Sequence, residues 1–361
     1  MKEIGIITYH SADNYGAVLQ AYALSKYLAS AGADCKIINY RCPAVDLQYQ
    51  FRSRKKCFSW KNFFAHNLTC IFRLKKRNEF KKFRKILPLT DECTRESIAE
   101  ITSGYDAFIS GSDQVFNPVC NKSDPTYFLD FVRSGKKYAF SGSMGSMNQF
   151  ESSKIDTIKL LSSFDGISMR ESAAAKYLSE KLGKKCISTM DPVWLLNKEE
   201  WENVTVTSKK KPYILVYNLL DLKHMRDFAI KLSKKTGFPI VAISRTIMGD
   251  AAYMFSSKIA SACSPNEFLG YIHDAQYVIT DSFHGTSFSI LFEKKVFVAL
   301  DKKTNNTNGR LETILEKAGL LDRVINERTI NDCEYKIDYE KVKSKLEPEI
   351  EFSKEYLNTL L

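Results

Sequence analysis

The sequence predicts an α/β protein made of two consecutive domains, each alternating strands with helices. The first observation is periodicity. Short apolar runs alternate with helix-period segments at 5–8, 17–31 and 35–40, and again at 213–217, 222–236, 239–244, 265–273, 277–281 and 296–300. The second is length, since 361 residues are enough for two domains of ordinary size. The third is composition: 44% hydrophobic and 26% charged residues mark a globular chain. No internal repeat or low-complexity linker interrupts it. The expected domains are 1–195 and 196–340, joined near Asp191-Pro192-Val193-Trp194-Leu195-Leu196, with a helix at 341–361 packing back onto the first.

Composition also narrows the chemistry. The nine cysteines are odd in number and scattered, no Cys-x-x-Cys occurs, and the five histidines lack metal-ligand spacing. A reducing, cytoplasmic protein without metal or cofactor is therefore expected. The opening residues run into a strand without a signal-peptide pattern, and no apolar run approaches the roughly 18 residues of a membrane span. The net charge of +11 is concentrated in one place: thirteen lysines and arginines lie between Arg52 and Lys85 against a single acid, Glu79. Within 48–87 these cations interleave with Phe51, Phe58, Trp60, Phe63, Phe64, Phe72, Phe80 and Phe83. Basic and aromatic residues together suit nucleic acid, but no recognition motif accompanies them, so no nucleic acid is expected. A helical segment resting on anionic lipid is one alternative, and a solvated helical insertion is the other.

Taken in order, the strand 5–8 ends in a polar loop, Tyr9-His10-Ser11-Ala12-Asp13-Asn14-Tyr15-Gly16, before the first helix. Open α/β sheets place ligands at such carboxyl ends. Asn14 or Asp13 also suits a helix cap, and Gly16 a close backbone approach. The loop is no G-x-G-x-x-G, so it does not predict a dinucleotide site. The strand 105–110 leads into GSDQVFNP, residues 111–118, where Asp113 and Gln114 stand at a strand's carboxyl edge. A carboxylate there either takes a proton from an attacking hydroxyl or caps a turn. The strand 136–141 ends in a small-residue loop containing Ser143. The strand 166–169 delivers Arg170, whose planar fork matches a phosphate or carboxylate; an ion pair with Glu171 or another acid is the alternative. In TDSFHGTSFSILF, residues 280–292, a strand feeds a helix through Ser282, Phe283, His284 and Gly285. That turn suits an anion at a helix N-terminus, or a plain capped helix with a hydrogen-bonded histidine.

Together, YHSADNYGAVLQAYAL (9–24), GSDQVFNP (111–118), SMRES (168–172), DPVWLL (191–196) and 264–292 resemble the polysaccharide pyruvyl transferase family, as do Asn308-Gly309-Arg310 and Arg323. The resemblance implies a GT-B-like fold, two Rossmann-like domains facing a central cleft. It implies phosphoenolpyruvate as donor and a glycan or lipid-linked oligosaccharide as acceptor. The product is a cyclic pyruvate ketal on two sugar hydroxyls. Arg170, Ser282, Phe283, His284, Gly285 and Arg310 map to the donor, and Asn14, Tyr15, Gly16, Gln114 and Ser143 to the acceptor. Relatives often carry a basic residue two positions before the histidine, where this chain has Ser282; either another cation, such as Arg310 or Arg245, supplies that charge, or the donor is handled differently.

The donor's chemistry asks for the same residue types. Phosphoenolpyruvate carries a phosphate and a carboxylate, so several anion contacts are needed. His284 is the candidate acid, since an imidazole ordinarily titrates near neutrality, and Asp113 is the candidate base. A nucleotide-sugar glycosyltransferase, or a non-catalytic glycan- or membrane-binding protein, would be served by the same fold.

Overall fold

The computed structural model describes residues 2–46, 60, 71, 73–207, 211–245, 257–301, 308–326, 329, 334 and 336–361. The chain divides into two compact units, Met1–Leu196 with Glu349–Leu361, and Asn197–Pro348.

The first unit contains the strands β1 (Glu3–Ile7), β2 (Asp34–Tyr40), β3 (Leu89–Cys93), β4 (Ala107–Ser110), β5 (Lys136–Gly142), β6 (Gly166–Met169) and β7 (Ile187–Ser188). They form one parallel sheet in the order β3-β2-β1-β4-β5-β6-β7. Ile4, Ile6 and Ile7 are fully buried, as a central strand of a sheet covered on both faces requires. Register is set there, with Ile6 opposite Ile37 on one side and Ile109 on the other. The principal helices are α1 (Tyr15–Ser30), α2 (Leu74–Arg84) and α3 (Ser172–Leu182). The Asn14 side chain begins α1 by accepting from the Gly16 amide at 3.0 Å. After β1 the chain adds β2 and β3 on one side, then returns to place β4 on the other. Loops leaving β1 and β4 therefore diverge at their carboxyl ends and open a crevice where such sheets take ligands. The core is aromatic, with Phe116 5.0 Å from Phe128 and both fully buried.

The second unit repeats the plan with five strands. These are β8 (Ile214–Asn218), β9 (Ile240–Ser244), β10 (Ser257–Ile259), β11 (Tyr277–Thr280) and β12 (Lys295–Val298), all parallel in the order β10-β9-β8-β11-β12. Its principal helices are α4 (Lys223–Thr236), α5 (Pro265–His273), α6 (Phe283–Leu291) and α7 (Asn308–Ala318). Here the reversal falls between β8 and β11, so Asn218 and Thr280 end at the ligand-binding edge. Phe228 of α4 packs on Phe297 of β12 at 5.0 Å, and Ile214, Val216 and Ile279 fill the same core.

A last helix, α8 (Tyr339–Leu360), contains Pro348, the final residue of the second unit. Beyond it, Leu357 and Leu360 are buried, and the Ser353 hydroxyl accepts from the Met190 amide at 2.8 Å.

Of the basic, aromatic stretch, Trp60, Ile71 and 73–87 are described, while Phe51, Phe58, Phe63, Phe64 and Phe72 lie outside the described residues. In α2, Phe80 and Phe83 turn inward and are buried, so the aromatic rings described there serve the core. Among the described residues no helix is long and apolar enough to cross a membrane. The described cysteines, Cys35, Cys42, Cys93, Cys120, Cys186 and Cys263, are unbonded thiols.

Candidate functional site

In the first unit, chemistry gathers around the β4 loop and the ends of β5 and β6. Asp113 follows β4 with a left-handed φ of 72°, a conformation Asp adopts more readily than most residues. Its backbone carbonyl accepts from the Ser143 amide at 2.9 Å, which ties the loop to the end of β5. Its Oδ1 accepts from the Gln114 amide at 2.9 Å and lies 3.8 Å from Arg170 Nη2. Among the described residues, Oδ2 accepts no hydrogen bond.

Arg170, delivered by β6, is 4% exposed and has three carboxylates around it. Asp191 is nearest, with Oδ2 3.0 Å from Nη1; Glu171 Oε1 lies 3.7 Å from Nε, and Asp113 completes the set. Burial works against the guanidinium charge, but Asp191, Glu171 and Asp113 more than offset it and raise its pKa. Among the described residues, one cation faces three acids in this cluster. In this geometry Arg170 takes the ion-pair alternative to a free anion clamp, and its guanidinium stands beside Asp113. Asp191 is fixed in turn, accepting from the Ser112 hydroxyl at 2.9 Å and the Val193 amide at 3.1 Å. Its sequence context read as a domain junction, and only the fold brings it to Arg170. The signal was an Asp-Pro that caps a short turn from within apolar surroundings.

The acceptor candidates fall into two groups. Gln114 is half-buried and Asn14 exposed, on the loops leaving β4 and β1. Tyr15 is 1% exposed, with its ring 5.0 Å from Phe80 and Lys76 Nζ 4.4 Å above it. The buried Ser143 hydroxyl donates to Glu171 Oε1 at 2.6 Å, so its contact is inward as well.

His10, in the same loop as Asn14, is 1% exposed, with Nδ1 3.2 Å from the Thr8 carbonyl and Nε2 3.0 Å from Asn39 Oδ1. Burial pushes its imidazole down to about 4, against the pull of those partners. It is a structural histidine.

In the second unit the β11–α6 turn is organised by three side chains and a glycine. Thr280 Oγ1 donates to the Tyr217 carbonyl at 2.9 Å and accepts from the Ser282 amide at 3.0 Å. Ser282 caps α6 by accepting from the Gly285 amide at 3.2 Å. Asp281 accepts from the amides of Leu219 and Leu220, both at 2.7 Å, and so binds the loop after β8 to this turn. Burial pushes its carboxyl up to about 6, although those amides pull it down. Gly285 is required by space: a Cβ there would stand 2.6 Å from Thr280 Oγ1 and 2.8 Å from Tyr217 Cδ1. With that packing, His284 falls in the first turn of α6, 7% exposed, its ring edge-on to Phe283 at 5.2 Å.

Ser282 is thus a helix cap. Arg310 lies in the first turn of α7, which packs against α6. Asn308 anchors that turn to the chain leaving β12, accepting from the Asp301 amide at 2.8 Å and donating to its carbonyl at 3.0 Å. Arg245 follows β9 with an exposed side chain, and its charge is felt at the Tyr217 hydroxyl, whose pKa burial and Asp281 raise. Among the described residues, no group of three or more His, Cys, Asp or Glu is arranged to hold a metal ion.

Two all-parallel sheets, each reversing direction beside its first strand, define a GT-B-type α/β protein, and known structures agree. The chain is similar to UDP-N-acetylglucosamine 2-epimerase from Rickettsia bellii (10% identity, TM-score 0.54, 100% of this chain and 96% of that one). It is similar also to S. aureus MnaA in its UDP co-structure (11%, 0.53, 100% and 98%) and to an alpha-glucosyltransferase in complex with UDP (10%, 0.52, 99% and 95%). The chain belongs to the polysaccharide pyruvyl transferase family, whose model matches residues 14–300. No curated protein matches it.

Proposed function

We propose that this protein transfers the pyruvyl group of phosphoenolpyruvate onto two hydroxyls of a sugar, in a surface polysaccharide or its lipid-linked precursor, forming a cyclic ketal and releasing phosphate. Besides membership of the family, the observation that carries this reading is His284 in the first turn of α6, at a ligand-binding edge that also bears Arg310 and Arg245. An acid and two cations suit a donor with two anionic groups. The reaction adds a proton to the donor's methylene carbon while a sugar hydroxyl bonds to the neighbouring carbon and gives its proton to Asp113. The second hydroxyl then displaces phosphate from that carbon, and its proton leaves with the phosphate. His284 protonates the methylene carbon or the leaving phosphate. Arg170 pairs with Asp113, and Gln114 and the loop at Asn14, Tyr15 and Gly16 face the acceptor.

The test is phosphate release from phosphoenolpyruvate in the presence of a panel of lipid-linked oligosaccharides, with UDP-sugars as competing donors. Release that needs both substrates, and is lost in a folded His284→Ala variant, is expected. Turnover of a sugar nucleotide with none of phosphoenolpyruvate would overturn the assignment in favour of glycosyl transfer.

A further inference from the structure

A cavity of about 490 Å³ opens in the first unit beside the β1–α1 loop, well within the roughly 300–1,000 Å³ of small-ligand clefts. Its walls come from the carboxyl-end loop of β1 (Ser11, Asp13), the residue after β2 (Arg41), Glu92 of β3, Asp46, and one face of α2. It therefore sits on the edge where parallel sheets take ligands. Every acid on the wall is already countered. Asp13 receives Arg84 Nη2 at 2.6 Å, and Arg41 Nε stands 2.9 Å from Asp46 and 3.7 Å from Glu92. Arg84 also donates to the carbonyls of His10 and Ser11, at 3.0 and 2.7 Å, so α2 is tied to the loop. Two further cations, Arg77 and Lys81, stand one helical turn apart on α2 and line the same cavity. Among the described residues neither has a carboxylate within ion-pair distance. The wall thus offers fixed donors and acceptors for hydroxyls together with two uncommitted positive charges.

We infer that this cavity is a binding subsite for an anionic saccharide, with Arg77 and Lys81 taking a carboxylate or phosphate group and the paired Asp13–Arg84 and Arg41–Asp46 taking sugar hydroxyls. The inference rests on the reading that the first unit handles a glycan acceptor, and it adds that the acceptor carries negative charge away from its reacting hydroxyls. A test by equilibrium binding keeps it separate from the donor. Calorimetric titration of the full-length protein with trigalacturonate, glucose 6-phosphate, maltotriose and inorganic phosphate supplies the probes. The charged sugars are expected to bind at least about tenfold tighter than maltotriose, and the stronger of the two identifies carboxylate or phosphate as the group taken. Arg77→Ala with Lys81→Ala should remove that preference without changing the melting temperature, and Lys81→Glu alone at its exposed position should reverse it. No preference, a preference that survives both variants, or equal affinity for inorganic phosphate alone would overturn the assignment. Sugar binding that holds while phosphoenolpyruvate is not consumed would sink the donor reading and leave this one standing.

Discussion

Asp281 and His10 are both buried at the end of a strand, yet burial moves them in opposite directions. The Asp281 carboxyl is pushed up to about 6, so between the ordinary value near 4 and 6 the folded protein holds a proton that the unfolded chain has lost. Its contribution to stability is therefore fully present below pH 4 and falls as pH rises to 6. His10, held down at about 4, is neutral in the folded protein while the unfolded chain is still protonated, so its contribution rises with pH between 4 and 6.5. The two slopes oppose one another. Asp281→Asn removes the first, and the variant should gain on the wild type by about 3 kcal/mol as pH is raised from below 4 to above 6, at about 1.4 kcal/mol per pKa unit. Denaturant melts of both proteins across that range give the difference directly, and a constant difference would show that Asp281 does not titrate there. Arg170 makes a separate prediction. Removing it leaves three acids facing one another, so Arg170→Ala should destabilise the protein by roughly 3–5 kcal/mol. Activity should fall through kcat, by way of a displaced Asp113, while KM for phosphoenolpyruvate stays near its original value. A raised KM with an unchanged melting temperature would instead make Arg170 a ligand of the donor.

At the scale of elements, the β11–α6 turn depends on one missing side chain. Gly285→Ala places a Cβ against Thr280 Oγ1 and the Tyr217 ring, and neither is the loose end of a flexible chain. The first turn of α6 must move outward, at a cost of about 1–3 kcal/mol by analogy with overpacked cores. His284 moves with it, so turnover should drop more than stability alone explains, read as kcat at a temperature where the variant is fully folded. Unchanged turnover would separate His284 from the chemistry. This turn was legible in the sequence because its parts are local: strand, cap, histidine and glycine follow one another within six residues. The alternation of strands and helices was legible for the same reason, since periods of 2 and 3.6 are properties of short windows. What escaped was long-range. Asp191 reaches Arg170 only because β7 pairs with β6, and Arg84 reaches Asp13 across 71 residues. Tyr15 and Ser143 have the composition of ligand contacts, but α2 covers the first and Glu171 engages the second. No spacing rule reports such coverage.

At the scale of the whole molecule, the thirteen cations between Arg52 and Lys85 exceed the net charge of +11, so the rest of the chain is close to neutral. Within the described part of that segment the cations have divided duties. Arg84 is bound into the β1–α1 loop, Lys76 lies over Tyr15, and Arg77 and Lys81 line the cavity. Lys75 and Lys82 of α2 and Lys85 just after it are exposed, and among the three only Lys82 is ion-paired with a described residue, Glu79. Trp60, Ile71 and Ile86 are each more than half exposed in the same stretch of sequence. Exposed cations and exposed apolar groups within one stretch of sequence suit an anionic bilayer surface, where each lysine contributes about 1 kcal/mol. An acceptor carried on lipid would make such attachment useful. Three lysines would give weak, reversible binding that salt screens. The expectation is co-sedimentation with phosphatidylserine-containing vesicles at low salt, lost at high salt and in the triple variant Lys75→Glu, Lys82→Glu, Lys85→Glu. The binding of soluble charged sugars should be unaffected by those changes, since Arg77 and Lys81 are intact. Turnover of a vesicle-embedded acceptor should fall while that of a soluble one holds. Equal binding to phosphatidylcholine vesicles, or binding to neither, would leave the exposed side of α2 as a solvated surface.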